Sequence, residues 1–204
     1  MTTCKLMLMF MICTNFSANC FAADSAKLPE ITIGTTVEYA DKVSTVKCSK
    51  WETIEQNKDG FIICKCDDKL MFRNKVTLNL VKITNTQGKE LVKYSPEHSA
   101  LSFPLEVGKK WSNEYAGYTA DNNVSWNSQL NCEVKSFEKL TVAAGTFDTF
   151  KIDCEDAWHA GVAGRFSGIA HSTTWYAPLA KEIIKVSHKE DSRFNQELKS
   201  VQLK

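Results

Sequence analysis

The sequence predicts an all-β fold: a curved, mostly antiparallel sheet or open barrel, with two similar β-meander halves as one way of building it. Three observations carry that reading. Beyond residue 30, apolar residues recur with a period of two and almost never with a helical period. Turn-forming pairs punctuate the chain at Asp59-Gly60, Gln87-Gly88, Val107-Gly108 and Ala144-Gly145. The only helix the pattern allows is a turn or two near Ala143–Phe147.

Taken in order, strands are expected near 43–54 and 60–66 and through Val76, Leu78 and Leu80. Further strands follow near 88–94 and 111–119. The clearest comes next: Trp126, Ser128, Leu130, Cys132 and Val134 alternate with Asn127, Gln129, Asn131, Glu133 and Lys135. One face is mainly apolar and the other wholly polar, as in a half-buried antiparallel strand. Phe150, Ile152 and Cys154 repeat the pattern against Thr149, Lys151, Asp153 and Glu155, and strands near 168–176, 181–188 and 196–203 complete the set.

The halves share short likenesses. Ile33-Gly34-Thr-Thr-Val37-Glu-Tyr39 parallels Val107-Gly108-Lys-Lys-Trp111-Ser-Asn-Glu-Tyr115, and Cys66-Asp67-Asp68 parallels Cys154-Glu155-Asp156. The spacings differ by several residues, so a pseudo-repeat and chance similarity both remain open. No Pro-, Gly- or Ser-rich linker divides the chain, and residues 23–204 are read as one β-rich domain.

Residues 1–22 are read as a secretory signal peptide. Lys5 supplies the positive n-region, Leu6–Cys13 the apolar h-region, and cleavage after Ala22 puts Cys20 and Ala22 at the −3 and −1 positions. That apolar run is far short of the roughly 20 residues a spanning helix needs. Lipidation at Cys20 is disfavoured because Ser17-Ala18-Asn19 lacks the aliphatic and small residues of a lipobox. Export to the periplasm or the extracellular space is the expectation, with no membrane span in the mature chain.

Removing that segment changes the composition. The chain of 204 residues has 25 Lys+Arg against 24 Asp+Glu, and only Lys5 is lost, leaving the mature protein formally neutral. A neutral, mixed surface gives no basic footprint for nucleic acid. Of eight cysteines, Cys48, Cys64, Cys66, Cys132 and Cys154 remain. An oxidising compartment turns paired cysteines into disulfides. Cys132 and Cys154 each lie on the apolar side of a strand and pair naturally. By the half-repeat Cys48 and Cys66 form the second bridge, although Cys48–Cys64 is equally open on geometry. The C-x-C run at Cys64-Lys65-Cys66 lacks a recognisable second half of metal ligands, and no C-x-x-C is present, so neither a metal nor another cofactor is expected.

No catalytic constellation emerges, and the chain reads as a non-enzyme more readily than as an enzyme. There is no H-E-x-x-H and no phosphate-binding glycine loop, and Gly164-Arg165-Phe166-Ser167-Gly168 has the wrong spacing for a nucleophile elbow. The remaining candidate patch runs from Asp156 to His171 and contains Trp158, His159, Arg165, Ser167 and His171. With Gly161, Gly164 and Gly168 among them, this stretch reads as a mobile loop that carries function or, more readily, as a long hairpin connection at the barrel mouth. His188, beside Ile184 and Val186, reads as a hydrogen-bonded core residue rather than a catalyst.

Three segments of the second half carry a resemblance: Phe103-Pro104-Leu105-Glu-Val107-Gly108-Lys109-Lys110-Trp111, Leu140-Thr-Val142-Ala-Ala-Gly145-Thr146-Phe147-Asp-Thr-Phe150-Lys151-Ile152, and Thr174-Trp175-Tyr176-Ala177-Pro178. In these the chain resembles an uncharacterised group of exported bacterial β-rich proteins. Ala144 stands where such proteins usually have proline. The match covers about residues 100–204 well and 30–100 loosely. The resemblance implies an exported β fold, distantly reminiscent of periplasmic lipoprotein and lipid carriers, and implies no activity.

The function expected from the residues is therefore a non-enzymatic binding or envelope-associated protein holding a lipid, another apolar small molecule or a protein partner. A hydrolase with its site in the 156–171 stretch, and a structural or assembly subunit, are the alternatives.

Overall fold

Strand-forming alternation is realised in a computed structural model that describes residues 25–40 and 47–204. The segment read as a signal peptide lies outside the described residues, as does 41–46. The first meander comprises β2 (Thr36–Tyr39), β3 (Lys50–Gln56), β4 (Phe61–Cys66), β5 (Lys69–Asn74), β6 (Leu80–Asn85) and β7 (Glu90–His98). The second comprises β9 (Lys110–Thr119), β10 (Val124–Val142), β11 (Gly145–Ala160), β12 (Phe166–Ala177), β13 (Glu182–His188) and β14 (Gln196–Gln202). Within each meander every strand pairs with its sequence neighbour, and the pairs β7–β9 and β14–β2 join the two. The sheet thus closes into an antiparallel barrel of 12 strands, closed rather than open. A short pair, β1 (Ser25–Ala26) with β8 (Leu105–Glu106), sits outside it.

The alternation sorts residues into lumen and exterior. Leu130, Val134, Phe150, Ile152, Tyr176, Ile184 and Leu198 are almost wholly buried and fill much of the interior. Outward positions carry ion pairs such as Lys139–Asp148 at 2.7 Å and Lys185–Glu197 at 3.0 Å. That is the inverse of a membrane barrel, whose apolar residues face out. No helix among the described residues is long and apolar enough to cross a membrane.

One disulfide binds the second and third strands of the second meander, and the other ties the segment just before β3 to the end of β4 in the first. Cys132 faces Cys154 across β10 and β11, and Cys48 pairs with Cys66, with Cα separations of 4.1 and 6.2 Å. Cys64 stays a buried free thiol. Gly34 and Gly108, matched in the half-repeat, both adopt positive φ (87° and 88°) in the turns before β2 and β9.

Two local expectations are corrected, and one pair of alternatives is decided. The strand through Val76, Leu78 and Leu80 is a hairpin turn up to Asn79, with β6 starting at Leu80. Asn74 Oδ1 accepts from the Val76 amide, Leu78 takes φ 61°, and Leu78 is buried while Val76 projects into solvent. The helical turn near Ala143–Phe147 is a tight link between β10 and β11, which pair up to Val142 and Gly145. Continuous cross-strand bonding there outcompetes a helical turn too short to close more than a bond or two. Of the two readings of 156–171, the long hairpin is the one realised: β11 and β12 remain paired from Phe150–Tyr176 to Ala160–Phe166, and a 3-10 turn at Val162–Gly164 links them. Gly168 stabilises this pairing rather than loosening it, because the Trp158 indole lies over it; a Cβ there would sit 2.9 Å from the ring.

Candidate functional site

Strand alternation decides where the sequence-nominated patch goes. Trp158 points into the barrel, packed on Gly168 of the paired strand. His159 lies opposite Ser167, and His171 opposite Glu155, on the other face of the same strands. Arg165 caps the 3-10 turn and stacks over Phe166 at 5.7 Å. Ser167 and His171 are four positions apart on one strand, which separates them by roughly 13 Å. His171 is engaged elsewhere, with Nδ1 2.7 Å from Glu190 Oε1 and Nε2 3.6 Å from Glu155 Oε2. The Glu190 carboxyl is held down to about 2, chiefly by the His171 backbone amide and then by the ring. The structure therefore distributes these five side chains over two faces and does not gather them in one cleft.

One concave feature with mainly apolar walls lies inside. Between the first meander and β12–β14 lies a cavity of about 330 Å³. Its walls are mainly apolar, with Val37 and Trp51 from β2 and β3, Met71 and Ile83 from β5 and β6, and Ile183 and Val186 from β13. Period-two alternation explains the lining, since Val37–Trp51, Cys64–Met71 and Met71–Ile83 are directly paired residues sharing the inward face. The volume falls in the range of about 300–1,000 Å³ typical of small-molecule pockets.

Two polar groups of residues interrupt the apolar wall. In one, Arg73 of β5 donates from Nη1 to Glu182 Oε2 of β13 at 2.7 Å, and from Nε to the Leu78 carbonyl at 2.8 Å. Glu182 Oε1 accepts from the Ile183 amide at 2.9 Å. Burial works against the Arg73 charge, but the Glu182 carboxylate outweighs it and holds the guanidinium above its usual range. The Tyr39 hydroxyl donates to the Ile183 carbonyl at 3.1 Å, and burial pushes its pKa well up. Cys64 lies beside Thr53, with Sγ and Oγ1 3.7 Å apart, and burial raises its thiol pKa. This thiol is shielded and protonated, the opposite of an activated nucleophile.

At the other group, His98 and His188 line the cavity. The His98 ring packs at 5.3 Å from Tyr94 and 5.4 Å from Tyr115. Burial lowers the pKa of both histidines; at His98 the Asp156 carboxylate opposes this while His188 adds to it. Tyr115 donates a hydrogen bond to Asp156 Oδ2, whose partner oxygen Oδ1 is buried without a protein partner among the described residues. Burial pushes Tyr94 up to about 12. His188 gives its backbone amide to Asn195 Oδ1 at 2.7 Å, while its ring faces the lumen and Phe194. Cys48, Cys66 and Asp67 also lie close together, but the disulfide removes the thiolates a metal would need.

Sequence reasoning missed Arg73, Glu182, Tyr39 and His98. The available signal was at β5, where Met71 and Arg73 share one face; a cation on an apolar face asks for a buried partner.

No family model matches the chain, and no curated protein matches it. Among solved structures, the barrel is similar to a "putative lipoprotein" from Parabacteroides distasonis. The TM-score is 0.51 at 12% identity, covering 88% of this chain and 100% of that one. A "putative exported protein with YmcC-like fold" from Bacteroides fragilis aligns with a TM-score of 0.37 at 11% identity, over 87% and 99% of the two chains. The first of these shows a shared fold.

Proposed function

We propose that the protein is exported and acts as a non-enzymatic binding protein of the cell envelope, one β-rich domain whose barrel lumen holds an apolar small molecule or lipid. The observation that carries this reading is the cavity of about 330 Å³, walled by Val37, Trp51, Met71, Ile83, Ile183 and Val186. Protein cores are otherwise filled to crystal-like density, so an apolar void of this size stands out. The Cys64 thiol that faces the same space is buried and raised in pKa, the opposite of an activated nucleophile. The signal-peptide pattern at residues 1–22 and the two disulfides support export. The fold shared with a protein described as a lipoprotein agrees with an envelope location. The test is gentle purification from the native host, followed by native mass spectrometry and organic extraction. A single apolar adduct per chain supports the reading; a bare chain that also takes up no added amphiphile refutes it.

A further inference from the structure

The ligand class can be read from what the polar floor of the cavity has left to offer. A guanidinium has five N–H donors. Arg73 uses Nε on the Leu78 carbonyl and one Nη1 donor on Glu182, and the Nη2 group has no hydrogen-bond partner among the described residues. The residue lines the cavity although it is only 8% exposed. Its Nη2 donors are not enclosed by protein and stay within reach of the lumen, so the seat offers them to an acceptor there.

Charge decides what kind of acceptor. Arg73 is already balanced one for one by Glu182, with the two side chains each about 10% exposed. The other titratable groups on the wall do not alter that balance. His98 and His188 are held neutral, and Cys64, Tyr39 and Tyr94 are protonated. The Lys181 ammonium keeps its charge at the solvent-exposed rim, where it donates to the Glu30 carbonyl, and lies outside the set of charges that act on the buried Tyr39 and Cys64 beside Arg73. A ligand carboxylate or phosphate would place a second anion beside Glu182 in a low-dielectric space, which like-charge repulsion penalises. An ester carbonyl or a hydroxyl accepts the free donors without that penalty.

Resting on the binding reading above, we infer that the lumen selects a single-chain amphiphile with an uncharged, oxygen-rich head, of the monoacylglycerol class, its head against Arg73–Glu182 and its chain along Met71, Ile83 and Val186. The cavity volume, at the small end of ligand pockets, suits one short or medium chain rather than two.

The test compares monolaurin with laurate at neutral pH, both below their micellar concentrations, by calorimetry and native mass spectrometry on the delipidated full chain. The expected result is one-to-one binding of monolaurin, with laurate weaker by about tenfold or more. In Glu182→Gln the seat becomes cationic, and laurate should gain on monolaurin by about tenfold. Since that variant also weakens the fold, the wild-type comparison stands by itself. Laurate binding as tightly as monolaurin overturns the head-group assignment while leaving the binding reading intact. Uptake of neither amphiphile by wild-type protein that also carries no lipid from its host overturns both.

Discussion

Arg73 and Glu182 are 109 residues apart in sequence, yet the guanidinium Nη1 donates to the carboxylate Oε2 at 2.7 Å inside the barrel. The contact crosses from the first meander to the second, so one buried ion pair bridges the halves between which the cavity opens. Breaking such a pair leaves the surviving charge uncompensated in the interior. Arg73→Met or Glu182→Leu alone should therefore cost about 3–5 kcal/mol, whereas the double substitution Arg73→Met/Glu182→Leu should cost far less. Urea unfolding of the three variants measures this, and additive losses in the double variant would argue against a coupled pair.

The cross-strand glycines make a second, sharper packing prediction. A Cβ on Gly117 would lie 2.2 Å from the Trp126 indole, and one on Gly168 2.9 Å from that of Trp158. Both glycines are strand residues without a positive φ, so close approach of the ring is what demands them. Gly117→Ala should destabilise by about 1–3 kcal/mol through overpacking, and Gly168→Ala by less. Thermal unfolding should rank them in that order, with altered near-ultraviolet dichroism from the displaced indoles.

Cysteine chemistry separates the two bridges from the spare thiol. Protein with both disulfides formed should show no fast-reacting thiol when folded and one per mature chain in denaturant, that of Cys64. The bridges close loops of sequence separation 18 and 22. Replacing the Cys132–Cys154 pair by alanines should cost about 3 kcal/mol if unstrained, and Cys64→Ala considerably less. Thiol counting with and without urea, joined to unfolding curves, tests both statements.

The lumenal histidines give the fold a pH dependence of known sign. Both have folded pKa values below the ordinary 6.5, so the unfolded chain binds more protons just beneath that pH. Stability is then full above pH 6.5 and falls as pH drops toward the folded values. Glu190 and Asp191, held at about 2, cause a separate loss at lower pH, below the usual carboxylate range. Denaturation midpoints should decline on acidification from neutral pH, and His188→Gln should flatten the first part of that decline. An unchanged slope would mean that the ring is not neutral in the folded protein.

Much of the architecture was legible because alternation on β10, β11 and β12 reports burial directly: Leu130, Cys132 and Val134 face in and Asn131 and Glu133 face out. Where a turn buries an apolar side chain, the same signal misleads. Leu78 looks like a strand residue but is a buried turn residue held at positive φ. The glycines of 156–171 suggested mobility, yet Gly168 is occupied by an indole ring, a relationship that no local pattern shows. The Arg73–Glu182 seat escaped for the same reason. Its halves lie on distant strands, and only closure of the barrel brings them together.

The central claim, that the lumen is a ligand-binding space, is tested most directly by filling it. Val186 lines the cavity from β13, four residues along the strand from Glu182, and Val186→Trp would occupy much of it. Monolaurin binding should fall by about tenfold or more in this variant while Tm stays level or rises, because a void has been filled. Equal binding by wild type and variant, with Tm unchanged, would place the ligand elsewhere and contradict the account.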